Sequence, residues 1–93
     1  MSNTYQIYLI SDSTGETLER IFLALKAQFK NIDYKIHSYS FTRTENQILK
    51  ILEEAQTNDN SIILYTIVDN NLAKYLANTS SYKKIPCFGV LGN

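Results

Sequence analysis

Residues 5–19 read YQIYLISDSTGETLE, Tyr5 through Glu19. Tyr5 to Ile10 reads as a strand with apolar side chains on both faces, and it runs into Ser, Asp, Ser, Thr and Gly. Beyond that turn, Leu18, Ile21, Phe22, Leu25 and Phe29 recur at the spacing of one helix face. Glu19, Arg20, Lys26 and Lys30 fall mostly on the other side, and Leu23 sits at the border of the stripe. The stretch predicts strand, tight polar turn and helix. The turn poses a chemical question: a seat for an anion, or only a capped helix start.

Working outward, the period keeps switching between two and 3.6. Asn31 to Asp33 form a turn, and Tyr34 to Phe41 read as a second strand interrupted by Lys35, His37, Ser38 and Ser40. Thr44-Glu-Asn-Gln47 is a capping-box pattern, overlapped by Thr42-Arg-Thr-Glu45, and Ile48, Ile51, Leu52 and Ala55 follow at helical spacing. After the polar break at 57–60, Ser61 to Val68 (SIILYTIV) is a continuous β-prone run. Asp69 can cap a short helix through about Ala77, with Leu72 and Leu76 facing inward. Ile85 to Leu91 reads as a fourth strand, in which Pro86 suits a strand start or an edge.

The order βαβαβαβ predicts a three-layer α/β domain: a parallel sheet, right-handed crossovers, helices on both faces. The first and third strands are the most uniformly apolar and belong in the middle. The mixed second strand and the proline-bearing fourth suit the edges. Order 2-1-3-4, the flavodoxin/Rossmann-like arrangement, meets both demands.

In such sheets ligands bind beyond the carboxyl ends of the strands where the winding reverses, here between strands 1 and 3. The loops 11–17 and 66–71 meet there, with Thr42, Arg43 and Thr44 alongside. Gly15 permits a tight turn or a close approach, and the first amides of the next helix point outward. Ser13, Thr14, Gly15, Glu16 and Thr17 are therefore the candidate phosphate seat, with Ser11, Asp12, Arg43, Thr66 and Asp69 at its rim. Arg43 is the one cation at this rim. Ser13-Thr-Gly-Glu16 is equally a capping box, in which Glu16 folds back and opposes an anion. Both readings stand on spacing alone. Asp12 and Asp69 can hold magnesium or orient a hydroxyl, although a helix cap is the commoner use of such an Asp. No metal site is expected. His37 is read as a satisfied or solvent-facing side chain, Cys87 as a small apolar one, and the seven tyrosines as core and rim packing.

Nine Lys plus Arg balance nine Asp plus Glu among 93 residues. That argues against a broad footprint for nucleic acid or an anionic membrane surface. The single cysteine permits no intrachain disulfide and fits a reduced, cytoplasmic setting. Residues 1–6 lack the charged start and apolar core of a signal peptide, and no run approaches a bilayer span.

The segments IYLISDSTGET, Ala27-Gln28-Phe29, ILYTIVD and IPCFGVLG together resemble the N-terminal part of the pyruvate, phosphate dikinase and phosphoenolpyruvate synthase regulatory proteins. The resemblance implies a bifunctional kinase and pyrophosphorylase. Such proteins use ADP to phosphorylate a threonine of the target dikinase or synthase, and they reverse this with inorganic phosphate, releasing pyrophosphate. It implies ADP and phosphate as ligands of the parent protein and the target enzyme as partner. Ser11 to Thr17, Thr66 and Asp69 match family positions, and none of them acquires a catalytic role. The family's P-loop belongs to a later domain, and no G-x-x-x-x-G-K-[ST] occurs here. Residues 1–93 are thus read as one α/β domain, the N-terminal part of a longer two-domain protein. No kinase activity is expected from it alone. The exposed edge strands of so short a sheet leave room for a homodimer. Two other classes stay open. Thr14-Gly-Glu-Thr17 also fits the T-G-x-T of flavodoxin phosphate loops, without an aromatic after strand 3 to cover a flavin. A non-enzymatic interaction module is the other.

Overall fold

The computed structural model describes residues 4–28 and 31–90. Its elements are β1 (Tyr5–Ser11), α1 (Glu16–Lys26), β2 (Tyr34–Tyr39), α2 (Glu45–Gln56), β3 (Ser61–Thr66), α3 (Asn70–Tyr82) and β4 (Cys87–Gly89). The sheet order is β2-β1-β3-β4, and every pairing is parallel. Ile7 lies opposite Ile36 on one side and Ile62 on the other, so β1 is central, as its apolar character predicts.

Right-handed crossovers distribute the helices. The chain moves one way from β1 to β2 and the other way afterwards, so α1 covers one face and α2 and α3 the other. Alternate side chains of β1 feed the two layers. Tyr8 and Ile10 pack with Ile48, Ile51 and Leu52 of α2 and with Leu72 and Leu76 of α3. Ile7 and Leu9 pack with Leu18 and Phe22 of α1. The α1 layer is thinner: Leu23 is exposed, and Leu25, expected in the buried stripe, remains 38% exposed. Phe29, the last member of that stripe, and Lys30 lie outside the described residues, as do residues 1–3 and Leu91.

Four elements have bounds that differ from the sequence reading. β2 stops at Tyr39 rather than Phe41, because Phe41 adopts φ 53 and the chain bends over the first loop. The Phe41 N–H then donates to Ser13 O and the Thr42 N–H to Ser11 O, both at 2.9 Å. α3 continues past Ala77 to Tyr82, since Ser80, with Leu72 and Leu76 on the same stripe, is fully buried. Burial there overrides the weak helix propensity of Asn, Thr and Ser. β4 is confined to Cys87–Gly89, because Pro86 has no N–H and the Ile85 N–H caps α3 at Ser80 O, 2.8 Å. β3 likewise ends at Thr66, ahead of Val68.

The capping box of α2 forms as expected. Thr44 Oγ1 accepts from the Gln47 N–H at 3.1 Å, and Gln47 Oε1 accepts from the Thr44 N–H at 3.1 Å. His37 is satisfied: its Nε2 lies 2.7 Å from Gln6 Oε1, and its ring stacks on Tyr8 at 4.5 Å. Cys87 packs against the α2/α3 core, and burial pushes its thiol up from the ordinary value.

Leu52 is fully buried, whereas Leu23 is 55% exposed. Leu52→Ala is expected to cost about 2–5 kcal/mol and Leu23→Ala under about 0.5, read from urea midpoints. Burial, then the Glu54 carboxylate that Tyr39 Oη donates to, push the Tyr39 pKa from 10.0 up to about 12. A raised pKa in the folded state gives stability that is full below 10.0 and is lost as pH climbs toward 12. Tyr39→Phe is therefore expected to flatten part of the alkaline fall in the urea midpoint. An unchanged slope would place that loss on other groups.

Candidate functional site

The carboxyl ends of β1 and β3 lie side by side, with Ser11 opposite Thr66. The loop between β1 and α1 is shaped by its own hydroxyls and by both neighbouring loops. Buried Ser11 Oγ accepts from the Ser13 N–H at 3.1 Å and lies 3.3 Å from Ser13 Oγ. The Asp12 N–H donates to Thr66 O at 3.3 Å, and Asp12 Oδ2 accepts from the Val68 N–H at 2.9 Å. The Asp12 carboxylate thus ties loop 11–15 to the loop after β3.

The helix start bears on the capping-box reading of SDSTGET. The N-cap of α1 is Gly15, in the left-handed conformation at φ 86, and no side chain caps the helix. The Ser13/Glu16 capping box therefore does not form. Thr14 Oγ1 makes only a long contact, 3.4 Å, from the Glu16 N–H. The next first-turn amides, those of Thr17 and Leu18, have no intrahelical acceptor by position. Ser13, Thr14, Glu16 and Thr17 are exposed, and Gly15 is half-buried.

Arg43 is brought to this loop across the chain. Its Nε donates to Asp12 O at 3.0 Å, and its guanidinium lies 5.3 Å from the Phe41 ring centroid. The side chain is thereby braced at the mouth of the loop. Asp69 behaves as a helix cap, its Oδ1 accepting from the Leu72 N–H at 3.0 Å. Asp12 and Asp69 each engage a backbone amide, which explains both without a metal. Thr66 is buried and contributes its carbonyl to the loop.

A cleft of about 60 Å³ opens beside the loop, lined by Ser11, Thr14, Gly15 and Glu19 on one side and by Ser38, Tyr39 and Ser40 on the other. That is space for a few water-sized groups, far below the several hundred Å³ of a nucleotide-sized pocket. The cleft has room for a group of about phosphate size, and Glu19 is the charged residue among those that line it. Ser38, Tyr39 and Ser40 were not among the candidates from sequence. The signal was present: Ser38 and Ser40, two residues apart at the end of a strand, share the face that carries Leu9. Glu16 and Glu19 in the first turn oppose an anion, and Arg43 at the mouth of the loop supplies a single opposite charge.

A family model described as kinase/pyrophosphorylase matches residues 7–93. The chain belongs to the kinase/pyrophosphorylase family. Among its relatives, a pyruvate, phosphate dikinase regulatory protein of Pelagibacter ubique (strain HTCC1062) is 75% identical over all 93 residues, which make up 34% of that protein. One of Geotalea uraniireducens (strain Rf4), bearing the same name, is 43% identical over 86 residues, 92% of this chain and 32% of the relative. A third, from Alkaliphilus oremlandii, is 42% identical over 85 residues, 91% of this chain and 30% of the relative. The chain spans about a third of the length of these curated relatives. Among the described residues of this family member, no helix is long and apolar enough to cross a membrane.

A Cβ at Gly15 would meet only Ser11 Cβ, at 3.8 Å, so there is room for a side chain and the φ of 86 alone demands glycine. Gly15→Ala is expected to cost about 1–2 kcal/mol by urea unfolding, the left-handed penalty for an L-residue. A cost near zero would show that the helix start reaches an ordinary φ.

Proposed function

We propose that this chain supplies the phosphate seat of a regulatory protein kinase and pyrophosphorylase. The observation that carries the proposal is the bare start of α1, entered through left-handed Gly15, with Ser13, Thr14 and Thr17 hydroxyls beside it and Arg43 across from it. Amides at a helix start attract an anion through their free N–H groups and the helix dipole. The relatives' names supply the context: regulation of a dikinase.

In the reaction this family membership suggests, a phosphoryl group passes from ADP to a threonine hydroxyl of the dikinase or synthase, leaving AMP. In reverse, inorganic phosphate takes the phosphoryl group from phosphothreonine, giving pyrophosphate and the free hydroxyl. Both steps call for phosphate oxygens held in line with a threonine oxygen, where positioning and charge stabilisation dominate. The cleft of about 60 Å³ suits the inorganic phosphate or the group in transit, and it is too small for the nucleotide. ADP is bound elsewhere in the full-length protein on this reading, and the 93 residues alone do not phosphorylate the target.

The test is a titration of the 93-residue chain with inorganic phosphate, followed at the backbone amides. Shifts are expected at Gly15, Glu16 and Thr17. Arg43→Gln is expected to weaken binding by removing a cation, and Glu16→Gln to tighten it by removing a like charge. Unmoved amides at high phosphate would overturn the reading, and so would identical binding by wild type and both variants.

A further inference from the structure

A second cavity lies away from the carboxyl ends of the strands. It is an apolar groove of about 520 Å³ on the α1 face of the sheet. Ile62 and Leu64 of β3, Phe88 of β4 and Val90 just beyond form part of its floor, and Phe22 and Leu25 of α1 help wall it. Phe88 is 56% exposed and Leu25 38%.

The topology explains the groove. α2 and α3 both lie on the opposite face, and α1 alone stands on this one, against β1 and part of β3. A parallel sheet is buried on both faces, and among the described residues no helix is seen to cover β4 on this face. Tyr5 and Ile7 of β1 and Tyr34 of β2 also line the groove, so it runs across the sheet beside α1. Its lining is apolar, with tyrosine hydroxyls as the side-chain polar groups. It lacks the convergent polar groups that orient a small ligand. About two-thirds of the length of the Pelagibacter relative lies outside the aligned residues, ample chain for the missing layer.

We propose that this groove seats an amphipathic helix supplied by the part of a full-length family member that corresponds to the Pelagibacter relative's unaligned two-thirds. Handedness restricts which helix. A crossover from β4 to a strand on its far side would be right-handed and would lie with α2 and α3. The helix in the groove is therefore one that does not lead outward from β4. It packs antiparallel or parallel to α1 and completes the α1 layer.

The experiment uses the full-length Pelagibacter protein with a photo-crosslinking residue at the position aligned with Phe88, prepared as a mixture of isotope-labelled and unlabelled chains. The expected product is a crosslink within one chain to a segment outside the aligned third. Crosslinks only between labelled and unlabelled chains would assign the groove to a second copy and overturn the proposal. Crosslinks confined to the aligned third, or none, would also overturn it. An apolar reporter dye gives an independent readout. The 93-residue chain should bind it, Phe88→Ser should lower the signal, and the full-length protein should lose it. Equal dye binding by the full-length protein and the 93-residue chain would show the groove still open, against the proposal.

Discussion

β1 is the member on which the rest of the structure depends. Its backbone pairs with β2 on one side and β3 on the other, and its side chains alternate between two apolar layers. Every pairing is parallel, and parallel pairing brings every strand's carboxyl end to one edge. The loops after β1, β2 and β3 therefore converge whatever their sequences. The candidate site lies at that edge, where the winding changes direction at β1 and the loop after it has a neighbour on each side.

The convergence is held by hydrogen bonds that leave helix donors free. Carbonyls of Ser11 and Ser13 accept from the loop after β2, and the Asp12 carboxylate accepts from the loop after β3. The acceptors of the loop are thus engaged with protein, while the amides opening α1 face outward. Two residues in the left-handed region, Gly15 and Phe41, sit on either side of this knot. For Phe41 that conformation costs about 1–3 kcal/mol, sustained by the surrounding hydrogen bonds. Lys84, just after α3, adopts a similar φ of 61, and at Phe41 the exposed ring is braced by Arg43.

The two faces of the sheet are unequal. Among the described residues, the α2/α3 face is closed by eleven buried residues in one cluster, while the α1 face has four. The chemistry at the strand ends and the groove on the α1 face are separate features of one domain. The first is shaped by polar loops, the second by the distribution of crossovers.

Much was legible along the chain. Apolar period two against 3.6 is a local property, so the alternation of strands and helices, the central places of Tyr5–Ile10 and SIILYTIV, and the Thr44/Gln47 cap could be read directly. The candidate loop was legible too, since glycine after Ser, Asp, Ser and Thr at a strand end has few uses. What the tertiary structure decided was set by partners far away in sequence. Arg43 meets Asp12 31 residues away, and Asp12 meets Val68 56 residues away. Such bonds determine where β2 and β3 stop, leave Gly15 rather than Ser13 as the N-cap, and turn Ser38 and Ser40 into the far wall of the cleft. Hydrophobic period is written one residue at a time. A strand's end and a loop's open donors depend on what another segment offers, and that is known only when the chain has closed on itself.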